Sequence, residues 1–273
     1  MEALFAKKLR HFKLAGRCEQ VGMAEGSINK SVLKALEILE FLDLKGPMGI
    51  TEVSNELGMD KSSVFRALNT LKFRNFVRQD QETLKYCNSY KLLEMGNNVA
   101  RQSGLVKMAS SYMRQLSRQV SGAVCLGIRD GVSVIYIDKI ESDTPVRASM
   151  KVGQSLPLYC TAMGKSILAF QPPAKMNHLL SRLEFEPRTP NTHQNLDSLK
   201  KDLDEVQRRG YAVDNEEHIQ GLFCVAAPVF NSSGQVIAGL SVTNVKMLIA
   251  DEAFVKTLAR EVMNSAASLS STL

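Results

Sequence analysis

Apolar residues recur at helical spacing from Ser31 to Leu42, and the run stops ahead of Gly46-Pro47. Ile50 to Leu57 reads as a short second helix ended by Gly58. Met59 then leads into Asp60, a good N-cap for a third helix from Lys61 to about Phe73. Two short helices across a tight turn containing glycine are the pattern of a helix-turn-helix. Phe76-Val77-Arg78, a polar turn from Gln79 to Thr83, and Leu84-Lys85-Tyr86 follow as a small hairpin, so the unit reads as a winged helix-turn-helix. At about 100° per residue, Val64, Leu68 and Leu71 fall on the buried side of the third helix. Lys61, Ser62, Phe65, Arg66 and Asn69 share the other side, with Ser63 beside them at the helix start.

From Leu92 to about Val120 the pattern is helical and mixed, with a break near Ser103-Gly104, as for a linker helix that also serves as a dimer contact. Beyond it the texture changes to strands: Ala123 to Arg129 and Val132 to Ile140 around an Asp130-Gly131 turn, then Val146 to Val152. Thr161 to Phe170 and Leu196 to Arg209 read as helices, the latter closed by Gly210. Tyr211 to Asp214, Leu222 to Phe230 and Gln235 to Thr243 read as strands, and a last helix runs from about Asp251 to Leu269. Hairpins interleaved with helices predict an α+β domain on a mostly antiparallel sheet. The expected domains are an extension lacking order (1–26), the winged helix-turn-helix (27–90), the linker region (91–120) and the α+β domain (121–273).

A length of 273 residues suits two domains, and 34 Lys+Arg against 28 Asp+Glu leave a net charge of +6. The excess is local. From Leu57 to Lys91 seven basic residues stand against three acidic ones, a net +4 around the third helix. A short hydrogen-bonding face with one or two cations suits the major groove, and Arg74, Arg78 and Lys85 are placed to meet phosphates. The rival reading of this face is a basic surface on a non-DNA interaction module. No apolar run approaches the ~18–20 residues of a membrane span, and Met1 to Gly22 lacks a signal-peptide core, which points to the cytoplasm. The five cysteines and four histidines are dispersed, which fits neither a disulfide framework nor a metal site, and no cofactor is expected.

Three features of the second domain carry candidate chemistry. Pro157 to Ser166 brings a strand end to a helix capped by Thr161. Gly164-Lys165-Ser166 imitates the end of a P-loop, but Tyr159 stands where that motif needs glycine. What remains is a helix start whose N–H groups at Ala162, Met163 and Gly164 suit a carboxylate, or an ordinary capped helix. The hairpin across Asn231-Ser232-Ser233-Gly234 predicts facing residues whose numbers sum to 465, setting Cys224 opposite Ser241 and Leu222 opposite Thr243. Those four would then form one patch, whose small polar groups suit a polar pocket or backbone-bonded hydroxyls. Third, Asp214-Asn215-Glu216-Glu217 follows a strand. Asp214 reads as an acceptor for ligand hydroxyls, with Glu216 and Glu217 expected in solvent. An enzyme using Cys160 or Cys224 as nucleophile on a small acid is the rival, and no histidine is placed by motif to activate either.

At these residues the chain resembles the IclR family of transcriptional regulators, from about Ser27 onward. The resemblance rests on Ser31 to Leu42, the Gly58-Met59-Asp60-Lys61-Ser62-Ser63-Val64-Phe65-Arg66-Ala67-Leu68 turn and helix, Leu158 to Ala169, Asp214 to Val229 and Gly239 to Val242. It implies a winged helix-turn-helix, a linker helix and a GAF-like effector-binding domain, in a homodimer or homotetramer that acts as repressor or activator on double-stranded DNA. It also implies a ligand carboxylate at Ala162 and Met163, polar positions at Asp214, Cys224, Ser241 and Thr243, and apolar lining from Leu222 and Ala148. Met163 is bulkier than the small residue often found there. Asp214-Asn215-Glu216-Glu217 and Val236 to Ser241 look most like the family's repressors of 2-keto-3-deoxygluconate genes, which implies a sugar-acid effector.

Overall fold

The computed structural model describes residues 28–102, 104–142 and 150–273, and it divides between Val99 and Ala100 into two compact units. The expected N-terminal extension, 1–26, lies outside the described residues.

In the first unit, helix α1 (Lys30–Lys45) starts where the Asn29 side chain accepts the N–H groups of Ser31 and Val32. Helix α2 (Ile50–Leu57) ends at Gly58, whose φ of 63° makes the left-handed turn that a side chain would strain. Helix α3 (Lys61–Phe73) is capped by Asp60, which accepts the Ser63 N–H at 2.8 Å. Val64, Leu68 and Leu71 are buried against Ile38, Leu42 and Val53, the face that the periodicity predicts. Strands β1 (Val77–Gln79) and β2 (Tyr86–Asn88) form the wing. The second strand lies two residues later than the sequence pattern suggests. Asp80 accepts the N–H groups of Glu82 and Thr83, and Leu84 takes a positive φ, so the turn extends further before Tyr86 pairs with Met48.

Helix α4 (Tyr90–Gln102) closes this part of the chain and α5 (Gly104–Gln119) opens the next; Ser103 lies outside the described residues. The second unit is built on strands β3 (Ala123–Asp130), β4 (Ser133–Ile140), β5 (Ser155–Pro157), β6 (Ala212–Asn215), β7 (Leu222–Phe230) and β8 (Val236–Val245). They form one antiparallel sheet in the order β5-β4-β3-β8-β7-β6. Helices α6 (Ala162–Ala169), α7 (Pro173–Leu180) and α8 (Leu196–Arg209) cover one face. Helices α5 and α9 (Glu252–Ser270) cover the other, over Leu126, Val225, Leu240 and Val242. Helix on sheet on helix buries both faces of the strands.

Two strand expectations need correction. The strand expected at Val146 to Val152 is absent from its described part, residues 150–152; residues 143–149 lie outside the described residues, and the edge strand is Ser155–Pro157. The sum of 465 across the β7–β8 hairpin is also wrong. Phe230 pairs with Val236, and beyond a bulge Val229 pairs with Ala238, so Cys224 faces Thr243 and Ala226 faces Ser241. The turn is one residue longer than assumed and the bulge adds another. Two single slips preserve the side-chain alternation, so Leu222, Cys224, Ser241 and Thr243 still share a face. Helix α7 had no counterpart in the sequence reading, although Pro173 at its first position is a common helix opening.

Candidate functional site

Two surfaces gather the predicted residues. On α3, Lys61, Ser62, Phe65, Arg66 and Asn69 are exposed, while Ser63 is half-buried. Phe65 keeps 49% of its surface exposed at the centre of this face, unusual for so large an apolar side chain. The Ser62 hydroxyl donates to Asp60 at 2.7 Å, and hydrogen bonds from Ser63 and Ser62 hold the Asp60 carboxyl well below the usual range. Arg74 is exposed at the end of α3, and Arg78 projects from β1 with its guanidinium 5.9 Å from the Tyr90 ring centre. Lys85 is less free than expected, because its ammonium lies 3.4 Å from the Glu52 carboxylate.

The second surface is a cavity of about 330 Å³ between the start of α6 and the sheet. Thr161 caps α6 through its hydroxyl, which accepts the Gly164 N–H at 3.1 Å. Gly164 is therefore not available to a ligand, contrary to expectation. The N–H groups of Ala162 and Met163, the first two of α6, precede its first intrahelical bond, from the Lys165 N–H to the Thr161 carbonyl. Met163 fits because β3 and β8 bring Gly127 and Gly239 face to face beneath it; a Cβ on Gly239 would stand 2.7 Å from the Met163 Cγ.

Ala162, Met163, Asp214, Leu222, Cys224 and Ser241 all line this cavity, joined by Tyr136, His218 and the backbone turn at Gly221. The Ser241 hydroxyl is buried and has no hydrogen-bond partner among the described residues. Thr243 stands behind the wall, donating to the Cys224 sulfur at 3.3 Å. Ala148 lies outside the described residues. Asp214 is almost fully buried, and one of its oxygens accepts the Glu217 N–H at 2.7 Å and the His218 N–H at 3.4 Å. Burial first, and then the Glu217 carboxylate, push the Asp214 carboxyl up to about 7.

Behind the cavity lies a charge network that sequence reasoning missed. Lys165, the fourth residue of α6, is completely buried, and its ammonium donates to Glu217 at 2.5 Å and Asp202 at 2.6 Å. His193 lies 3.2 Å from Asp202 and 3.5 Å from Glu217. Glu217 is thus buried rather than solvated, and the Glu216 carboxylate accepts the Gly221 N–H at 2.8 Å. His193, Asp202 and Glu217 are close enough together to suggest a metal site, but the Lys165 ammonium already supplies the cation between the carboxylates. A lysine three residues into a helix start gives no sequence signal of burial; only Asp202 and Glu217 together reveal it.

The structure also brings His218 Nδ1 to 3.7 Å from the Cys160 sulfur, a pairing the sequence did not suggest. Burial pushes the Cys160 thiol up to about 12 and the Cys224 thiol well above its usual value. Burial thus works against a thiolate at either cysteine.

The IclR helix-turn-helix domain matches residues 31–81, and the bacterial transcriptional regulator IclR C-terminal domain matches residues 97–271. The HTH-type transcriptional regulator KdgR of Escherichia coli is 39% identical over 213 residues, 78% of this chain and 81% of its own length. The crystal structure of the Thermotoga maritima IclR superposes with a TM-score of 0.74 at 32% identity, covering 89% of this chain and 98% of that one. An IclR homologue from Microbacterium hydrocarbonoxydans, complexed with 4-hydroxybenzoate, shares the fold at 18% identity, with a TM-score of 0.73 over 89% of this chain and all of its own.

Proposed function

Because the chain belongs to the IclR family of bacterial transcriptional regulators, we propose that it reads a pseudo-palindromic DNA operator through α3 and that a small carboxylate effector of the sugar-acid class, held in the cavity of the second unit, modulates that binding. The exposed α3 face supports the DNA reading: its N-terminal residues meet base edges, and Arg74 and Arg78 meet phosphates. Exposed apolar side chains on α1 (Val32, Leu36) and α4 (Leu93, Val99) support a homodimer, which would set two α3 helices ~34 Å apart on successive grooves. Among the described residues no helix is long and apolar enough to cross a membrane, and DNA as partner fits work in the cytoplasm.

The observation that carries the effector reading is the unpartnered Ser241 hydroxyl, buried in a cavity that also receives the free N–H groups of α6. A carboxylate takes the helix start and a ligand hydroxyl or carbonyl takes Ser241. The 4-hydroxybenzoate bound by a homologue of the same fold supports a carboxylate as the class. Burial of Cys160 and Cys224, which raises both thiols, favours this reading over the rival small-acid enzyme.

The test is a thermal-shift and calorimetric titration with 2-keto-3-deoxygluconate, beside gel retardation of DNA selected from a random pool by the protein. A ligand at about 100 times its Kd raises stability by about 2.7 kcal/mol. Ser241→Ala is expected to lower affinity by about 1 kcal/mol and leave DNA binding without ligand intact. Unchanged ligand affinity in Ser241→Ala would place the effector elsewhere.

A further inference from the structure

Two glycines stand side by side in the sheet beneath the start of α6. Gly127 on β3 pairs directly with Gly239 on β8, so neighbouring strands carry no side chain at the same point of the cavity-facing surface. Their neighbours show where the gap lies. Tyr136 on β4 is opposite Gly127, and Ser241 is two residues along β8 from Gly239, on the same face. Tyr136 and Ser241 line the cavity, whereas neither glycine does.

Met163 covers them. It is 1% exposed, and its side chain lies in the gap: a Cβ on Gly239 would stand 2.7 Å from the Met163 Cγ, and a Cβ on Gly127 would collide with the Met163 sulfur. Such approaches are closer than a packed interior allows, so the two glycines and the methionine fit only as a set. The same residue also opens the helix. Its N–H is the second of α6, and helical side chains lean toward the helix N-terminus. The Met163 side chain therefore flanks the first carbons behind a carboxylate held at the α6 start, and forms the floor they meet.

We propose that Met163 is the specificity-determining residue of this cavity. By filling the glycine gap it admits an acid that is slim next to its carboxylate, as a sugar acid is. It disfavours one that carries an aromatic ring directly on the carboxyl group. This rests on the reading of the cavity as the effector site, and adds to it the shape of the acid. The selection works by contact and not by charge, because both kinds of acid bring one carboxylate to the same helix start. Shortening the side chain to alanine removes three heavy atoms and opens a depression between Tyr136 and Ser241, into which a flat ring fits.

Calorimetry of the full chain with 2-keto-3-deoxygluconate and with 4-hydroxybenzoate measures the preference. One methylene in an apolar pocket changes affinity about 10- to 200-fold, so the wild type is expected to favour the sugar acid by at least about tenfold. Met163→Ala is expected to raise the affinity for 4-hydroxybenzoate at least about tenfold while that for the sugar acid falls. A gain of binding does not come from misfolding. Met163→Ala with Gly239→Ala returns a methyl group to the gap, 3.3 Å from the Ile167 Cγ1 and the Ser166 Oγ, and is expected to restore part of the preference. An unchanged preference in a Met163→Ala chain with wild-type circular dichroism would overturn the inference and leave the effector site to the Ser241→Ala test. A wild type that holds both acids equally tightly would overturn it too. That comparison needs no variant, so it decides even where Met163→Ala fails to fold. Binding of neither acid by either chain would overturn the effector reading itself.

Discussion

Lys165→Met tests whether the buried network is held together as its geometry indicates. The ammonium is fully buried and meets Glu217 at 2.5 Å and Asp202 at 2.6 Å, so its removal leaves two carboxylates facing each other out of water. Breaking a buried ion pair by removing one partner costs about 3–5 kcal/mol, and Met fills most of the vacated volume, so little of that is cavity. Burial is the largest influence on Asp202 and raises its carboxyl, yet the hydrogen bond from His193 and the charge of Lys165 outweigh it and hold it well below its usual value. A depressed carboxyl contributes stability above its unfolded value, near 4, and loses it as pH falls through the folded value. In Lys165→Met the lysine's share of that contribution is gone at neutral pH, and protonation relieves the repulsion. The deficit is therefore expected to be largest near pH 8 and to shrink toward pH 4. Urea unfolding followed by far-ultraviolet circular dichroism measures it, and Lys165→Met with Glu217→Gln is expected to recover part of it. A deficit under 1 kcal/mol at pH 8, or one that grows on acidification, would refute the reasoning.

Other expectations concern DNA and packing. Arg66→Ala is expected to weaken operator binding by about 1–3 kcal/mol with little change on random DNA, so equal losses on both would remove Arg66 from base reading. Phe65→Ala is expected to abolish the preference for thymine over uracil at one operator position, since an exposed ring on this face suits a thymine methyl; a preference kept in full at every position sinks that role. Lys85→Ala is expected to flatten the salt dependence of DNA binding by about one unit, whereas an unchanged slope means its charge stays with Glu52. Gly239→Ala is expected to cost about 1–3 kcal/mol through its contact with Met163, and thermal unfolding of Gly239→Ala with Met163→Ala should show part of the loss restored.

The first unit is legible because its signals are local. Asp60, Gly58 and the 3.6-residue spacing of Val64, Leu68 and Leu71 act within a few residues of one another. The pocket face survives for another reason. The hairpin register is wrong by two, and a two-residue slip returns every side chain to the same side of the sheet. A slip of one would have buried the wrong residues. What stays hidden depends on distant pairing. Lys165, Asp202 and Glu217 are separated by 37 and 52 residues from the lysine, and no periodicity connects them. The proximity of His218 to Cys160 is of the same kind, 58 residues apart in the chain.

These hidden contacts decide which walls of the cavity can yield. All eight residues of α6 are buried, and Lys165 ties its side to α8 and to the loop after β6. The end proposed to take the effector's carboxylate is therefore fixed before any ligand arrives, as a site built on a packed helix should be. The opposite wall, the loop from Glu216 at a φ of 60° to Gly221 at 85°, is pinned at its ends, by the Glu216 N–H to the Leu222 carbonyl and the Lys246 N–H to the Gly221 carbonyl, and exposes Ile219 and Gln220 at its tip. The same loop supplies both N–H groups that hold Asp214. On the proposed effector reading, discrimination at this wall among acids of one charge is expected to rest on Ile219 and Gln220, which line the cavity, while the carboxylate contact at α6 stays common to them all.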